Sequence, residues 1–130
     1  MVLARRSLGY PVVVGAGVTK TVYQVGFGKT TFVRTIAVHH ASLGSTTAGI
    51  SQTVQILYVP NNSLQVGIGT SGHRIARLNL APDDTFFFEP HYPLTLDETG
   101  DSIQVFNEGY FYNGLSASPV NVLVMGDREE

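Results

Sequence analysis

The sequence predicts an all-β fold, a jelly-roll-like β-sandwich of about eight strands. Three observations predict it. Period-two runs of β-branched and aromatic residues recur from Val12 to the C-terminus, with no helical stretch between them. Glycine-, asparagine- and proline-containing breaks divide those runs at short intervals, as a two-layer stack of short strands requires. The 130 residues fit one domain, and a 43% apolar content with seven Phe and six Tyr is ample for one core.

Residues 1–10 read as an N-terminal arm. Arg5 and Arg6 precede apolar residues, but Val12–Val14 is cut short by Gly15 and Gly17, too brief for a secretory core or a membrane span. Residues 11–126 form the single domain. Residues 11–14 and 18–25 are its first strands, and Gly26 and Gly28 set a turn around Phe27. A long strand from Thr30 to about Ala41 follows, with Phe32, Arg34, Ile36 and Val38 expected on one face. "SLGSTTAGIS" returns the chain into residues 52–59, where Val54, Ile56 and Tyr58 share a face and Gln55 and Leu57 take the other.

Pro60-Asn61-Asn62 ends that strand, and residues 64–69 read as a short one. In residues 74–80, Ile75, Arg77 and Asn79 are expected on one face and Arg74, Ala76, Leu78 and Leu80 on the other. Phe86-Phe87-Phe88 crosses a sheet, so at least one ring turns away from the core, under a loop or against a partner. A short strand at Leu94/Leu96, an acidic turn from Asp97 to Asp101, a strand with Ile103, Val105 and Phe106, and a last strand "VNVLVMG" complete the domain. Residues 127–130 read as a frayed tail.

Charge and composition narrow the function. The formal net charge is -2 and only 14% of residues are charged, so the basic field that nucleic-acid binding needs is missing. So low a charge content also fits a surface occupied by neighbouring subunits. With no Cys, disulfides and thiolate metal sites are excluded, and stability must come from packing or oligomerisation.

Each candidate for chemistry has a plainer reading. Gly28-Lys29-Thr30 ends like a phosphate loop, but Tyr23 stands where the motif wants its first glycine and "TTFVRTIAV" reads as strand. Adjacent His39 and His40 point to opposite faces of a strand and cannot easily share an ion; His73 and His91 sit in separate loops. Three-fold symmetry would be needed to gather one histidine from each of three subunits. Asp83-Asp84 and the Asp97, Glu98, Asp101 group read as solvated turns and match no calcium loop. No serine stands in a nucleophile elbow. No catalytic residue, cofactor or metal site is expected, and the chain reads as a non-enzyme.

The features left over are those of a contact surface. Tyr110, Phe111 and Tyr112, with Phe86 to Phe88, offer an interface region or a sugar platform. Arg34 interrupts an apolar strand face, so that face opens to solvent or Arg34 pairs with an acid from a neighbouring chain. The expected contact residues are Arg5, Arg6, Tyr10, Arg34, Tyr110, Phe111 and Tyr112.

The run "TTFVRTIAVHHASLGSTTAGISQTVQILYV", then "LAPDDTFFFEPHYPLTLDETGDSIQVFNEG" and "VNVLVMGDRE", resembles small β-sandwich virion proteins of tailed bacteriophages, over roughly residues 19–127. The resemblance implies a capsid decoration (cement) protein: a homo-oligomer, typically a trimer, seated on the major capsid protein of the virion and made in the host cytoplasm, with no direct nucleic-acid or membrane contact. Neck, tail or fibre-associated modules are the structural alternative, although no fibre repeat is present. A carbohydrate-binding module for host attachment is the alternative from another class.

Overall fold

A computed structural model of the chain describes residues 3–8, 11–40, 51–60, 73–81, 84–97, 100–109 and 119–129. The expected strand at 64–69 lies outside them. Ten strands occur among the described residues: β1 (Leu3–Ser7), β2 (Val12–Val14), β3 (Thr19–Gln24), β4 (Thr31–His40), β5 (Gln52–Val59), β6 (His73–Leu80), β7 (Thr85–Phe88), β8 (Leu94–Leu96), β9 (Ser102–Gly109) and β10 (Val120–Glu129). All pairings are antiparallel.

The strands make a two-sheet β-sandwich. The six-stranded sheet runs β1-β10-β4-β7, with β2 also on β10 and β8 also on β4. Because β1 and β2 follow each other along β10, and β7 and β8 along β4, this sheet has four lanes. The second sheet, β3-β9-β5-β6, also has four. In chain order, the first lane pairs with the last, the second with the seventh, the third with the sixth and the fourth with the fifth.

Residues 1–10 were expected to leave the domain as an arm. Residues 3–7 instead form β1, paired with β10 from Leu3↔Glu129 to Ser7↔Met125. The Leu8 amide donates to the Val124 carbonyl at 2.7 Å, and Leu8 is buried in the core. By the same pairing, residues 127–129 belong to β10 and are not a frayed tail.

Val14, Val33, Ile36, Val38, Val120, Val122 and Val124 from one sheet pack on Val22, Val54, Ile56, Leu80, Ile103 and Val105 from the other. Each fully buried aliphatic side chain contributes about 1.5–3 kcal/mol. Short β-branched residues suit this interior, since two pleated faces leave room for one side-chain layer from each.

Four bulges set which side chains reach that core. Where the register slips, Val22, Arg34, Ile75 and Glu108 are the extra residues of β3, β4, β6 and β9. A bulge reverses the phase of everything beyond it. In β4 the core face is therefore Thr31 and Val33 before the bulge, and Ile36, Val38 and His40 after it. This corrects the expected face of Phe32, Arg34, Ile36 and Val38: Phe32 and Arg34 point outward. In β6 the bulge at Ile75 leaves Ala76, Leu78 and Ile75 itself against the core and places Arg74 opposite Leu57 on the outer face, not with Ala76 as expected. In β5, Val54, Ile56 and Tyr58 do face the core.

A polar cluster sits at one end of the interior. The fully buried Asn107 donates through Nδ2 to the Val14 carbonyl at 3.2 Å and to Gln52 Oε1 at 3.4 Å. Its backbone accepts from the Gly17 amide (2.7 Å) and donates to the Val18 carbonyl (3.1 Å). Asn107 thus ties β9 to the turn between β2 and β3, where Gly17 takes a φ of 76°.

Candidate interaction surface

Alternation along the six-stranded sheet turns a set of apolar side chains outward. Leu123 lies between the buried Val122 and Val124, Ala37 between Ile36 and Val38, and Phe87 between two rings that pack on the core. The register places Leu123, Ala37 and Phe87 in one row across three lanes. The next row is Val13, Asn121, His39 and Thr85. On the other side lie Met125 with Thr35, and then Asp127, Phe32 and Thr95. Phe87 is 56% exposed and Val13 50%, while Ala37, Leu123, Met125 and Phe32 are half-buried.

Two pairs of polar groups at the margins of this face are joined within the chain. His39 Nδ1 and Thr85 Oγ1 share a hydrogen bond of 2.8 Å. At the opposite margin the bulge residue Arg34 donates through Nε to Asp127 Oδ2 at 2.5 Å. The arginine is half-exposed and the aspartate nearly covered, so the carboxylate is anchored and the guanidinium remains within reach of solvent. The sequence left Arg34 either on a face open to solvent or paired with an acid from a neighbouring chain; it stands on an outward face, and its acid is Asp127 of the same chain. Gly126 makes this bulge possible, because a Cβ there would lie 2.0 Å from the Phe32 carbonyl oxygen.

The outer face of the four-stranded sheet has a different character. Arg77 on β6 reaches across β5 to the bulge residue Glu108 on β9, with Nε–Oε2 2.7 Å and Nη2–Oε1 3.0 Å. Gln55, between them, donates to the same carboxylate at 2.9 Å and is itself buried. The Arg77 hydrogen bond holds the Glu108 carboxyl below its ordinary range. Burial opposes the shift, while the Gln55 hydrogen bond and the charges of Arg77 and Arg74 reinforce it. The same contact raises the Arg77 guanidinium. Thr53 Oγ1 donates to Asn79 Oδ1 at 2.6 Å nearby.

Two exposed aromatic rings lie off both faces. Phe27 is 87% exposed in the turn between β3 and β4, where Gly28 takes a φ of 69°. Tyr92, 77% exposed, stacks edge-on with His91 at a centroid separation of 4.6 Å between β7 and β8. Among the described residues no three His, Cys, Asp or Glu side chains gather as a metal site. His39 and His40 do point to opposite faces, His40 being fully buried.

Of the expected contact residues, only Arg34 stands on the apolar face with a described side chain. Arg5 and Arg6 lie in β1, with Cα partners Asp127 and Gly126. Tyr10, Tyr110, Phe111 and Tyr112 lie outside the described residues. Val13, Ala37, Leu123 and Met125 were missed, although their parity with buried valines was a readable signal. The outward ring of the Phe86–Phe88 run was expected, and it is Phe87.

No model of a known protein family matches the chain, nor does any curated protein or solved structure.

Proposed function

We propose that this chain is a non-enzymatic structural protein of a tailed-bacteriophage virion, a capsid decoration protein with a jelly-roll fold that works by surface contact with copies of itself and with the major capsid protein. The observation that carries the docking part is the apolar outer face of the six-stranded sheet, with Phe87 and Val13 half-exposed beside Leu123, Ala37 and Met125. An apolar patch bordered by polar side chains is the surface expected of a protein that works in an assembly. The nested lane order, first with last through fourth with fifth, supports the jelly-roll reading, a fold that viral capsid and lectin domains share. Because one fold hosts many functions, the virion assignment itself leans on the resemblance of the strand-and-turn sequence pattern.

Seated on the outer shell, such a protein adds buried area that resists the outward pressure of packaged DNA, and its expected seats are the pseudo-three-fold positions of that shell. Localisation in a reconstructed particle tests it. Copies at pseudo-three-fold positions of the head are the expected result. A single ring at the portal vertex assigns the neck instead, and absence from particles overturns the proposal. The exposed Tyr92–His91 pair favours a second reading, binding of host-surface carbohydrate. Glycan-array binding that disappears in Tyr92→Ala would move the assignment there.

A further inference from the structure

We propose that the outer face of the six-stranded sheet closes on the same face of a second copy of this chain, forming a two-fold, face-to-face contact. The inference deepens the docking reading above and rests on it, but not on the virion assignment.

Three features of the face select a second copy as its occupant. The first is area. Eight to ten residues of β10 at about 3.4 Å each, and four lanes at about 4.8 Å, give a face of roughly 500–650 Å². Two such faces bury roughly 1,000–1,300 Å² together, which reaches the lower bound for a specific association. The second is charge. A two-fold contact sets each patch against its own image, so a net charge on the face would repel its copy. Here the described charges of the face, Arg34 and Asp127, neutralise each other within the chain. The third is layout. Leu123, Ala37, Phe87 and Met125 hold the middle, while His39–Thr85 and Arg34–Asp127 stand at the two ends with their hydrogen bonds already made. Apolar centre and satisfied rim are the anatomy of a protein–protein interface.

Such a contact leaves β3 and β6, the edges of the other sheet, and the Phe27 turn free for further neighbours. It also gives Phe87 a role, that of the most exposed ring on this face, filling the partner's surface.

The experiment is sedimentation equilibrium of the full chain across about 1–100 µM, the range where a contact of this size is expected to associate. The expected result is a species of twice the 14.0 kDa chain mass. Phe87→Glu should raise the dissociation constant by about 30-fold or more, since it sets two like charges in an apolar contact. Val13→Glu, in a different strand, repeats the test should the first variant lose its β-sheet circular dichroism. Arg74→Glu, on the other sheet, should leave the mass unchanged. Because the chain has no cysteine, Leu123→Cys also gives a single site for a short bis-maleimide, which should join two copies only if the faces meet.

A monomer throughout the range, a trimer, or a dimer indifferent to both glutamate variants would overturn the proposal. Failure of the virion reading looks different: the chain dimerises through this face but is absent from particles. The converse, copies on the head and a monomer in solution, would sink the face-to-face contact alone.

Discussion

The two sheets of this sandwich share one core yet present opposite exteriors. On the four-stranded sheet, Arg77 and Gln55 both bond Glu108, and Thr53 bonds Asn79 beside them. On the six-stranded sheet the corresponding positions hold Leu123, Ala37, Phe87, Met125 and Val13. Each exterior has a bulge that carries a charge, Glu108 in one and Arg34 in the other, and each charge is matched on another strand. The same device has different effects. Glu108, next to the last residue of β9, draws Arg77 across the inner strand β5, so that the ion pair roofs the buried Gln55. Arg34 meets Asp127 at the end of its sheet and leaves the middle bare. Whether the charge finds its partner two lanes away or on the adjacent strand decides whether the pair covers a face or frames one.

The largest way to break this contrast is Gly126→Ala. The added methyl meets the Phe32 carbonyl, and backbone cannot swing aside as a side chain does, so the Arg34 bulge is lost or strained. We expect a loss of about 3 kcal/mol, the upper part of the range for overpacking, read as a fall in the urea midpoint.

Neighbouring rings sharpen the contrast next. Phe88→Ala, which removes a ring packed on the core, should cost about 2–3 kcal/mol, below the fully buried case because the ring is half-exposed. Phe87→Ala should cost under about 0.5 kcal/mol when the chain is dilute enough to be monomeric. Equal losses would mean that both rings are buried in the monomer.

Asp127→Asn keeps the shape of the carboxylate and removes its charge, leaving the Arg34 guanidinium without its counter-ion. A loss of about 1–2 kcal/mol is expected, moderated by the exposure of the arginine. No change would mean that the bulge is held by Gly126 alone.

The smallest effect belongs to the polar exterior. Glu108 has a folded pKa lowered from 4.5, so its stabilising contribution is complete above that pH and is lost as the pH falls through the folded value. Glu108→Gln should flatten this acid dependence while costing less than about 1 kcal/mol at neutral pH, solvent screening being strong there. Urea unfolding of both proteins between pH 7 and pH 3 measures it.

Apart from β1, the existence of the described strands was legible, whereas the phase of a strand with a bulge was not. Val54, Ile56 and Tyr58 read correctly because the segment from Val54 to Tyr58 in β5 carries no extra residue of its own. Phe32 and Arg34 were assigned to the wrong side because one added residue in β4 reverses alternation, and nothing within "TFVRTIAVHH" marks it. The mark lies in the partner strand, where a glycine interrupts "VLVMGDRE" at a point of close backbone approach. β1 was taken for an arm because Arg5 and Arg6 look solvent-bound, whereas a strand is fixed by its backbone hydrogen bonds and can carry such residues at a sheet edge. The apolar exterior escaped notice for a related reason. Alternating valines reveal which residues point inward, but whether an intervening Leu or Met is covered depends on the other side of the sheet.

The nested pairing has a consequence for biosynthesis. β10 comes last of the ten described strands, yet it lies at the centre of its sheet, between β4 and the lane of β1 and β2. A nascent chain that has emerged only as far as β9 can zip the four-stranded layer, but β1 and β2 still have no strand to bind and β4 lacks one flank. Final closure must wait for the ribosome to deliver β10, which makes the step late and long-range in sequence. Until then the valines meant for the interior stay open to water, and chaperone capture or premature contact with sister chains would be concentrated in that interval.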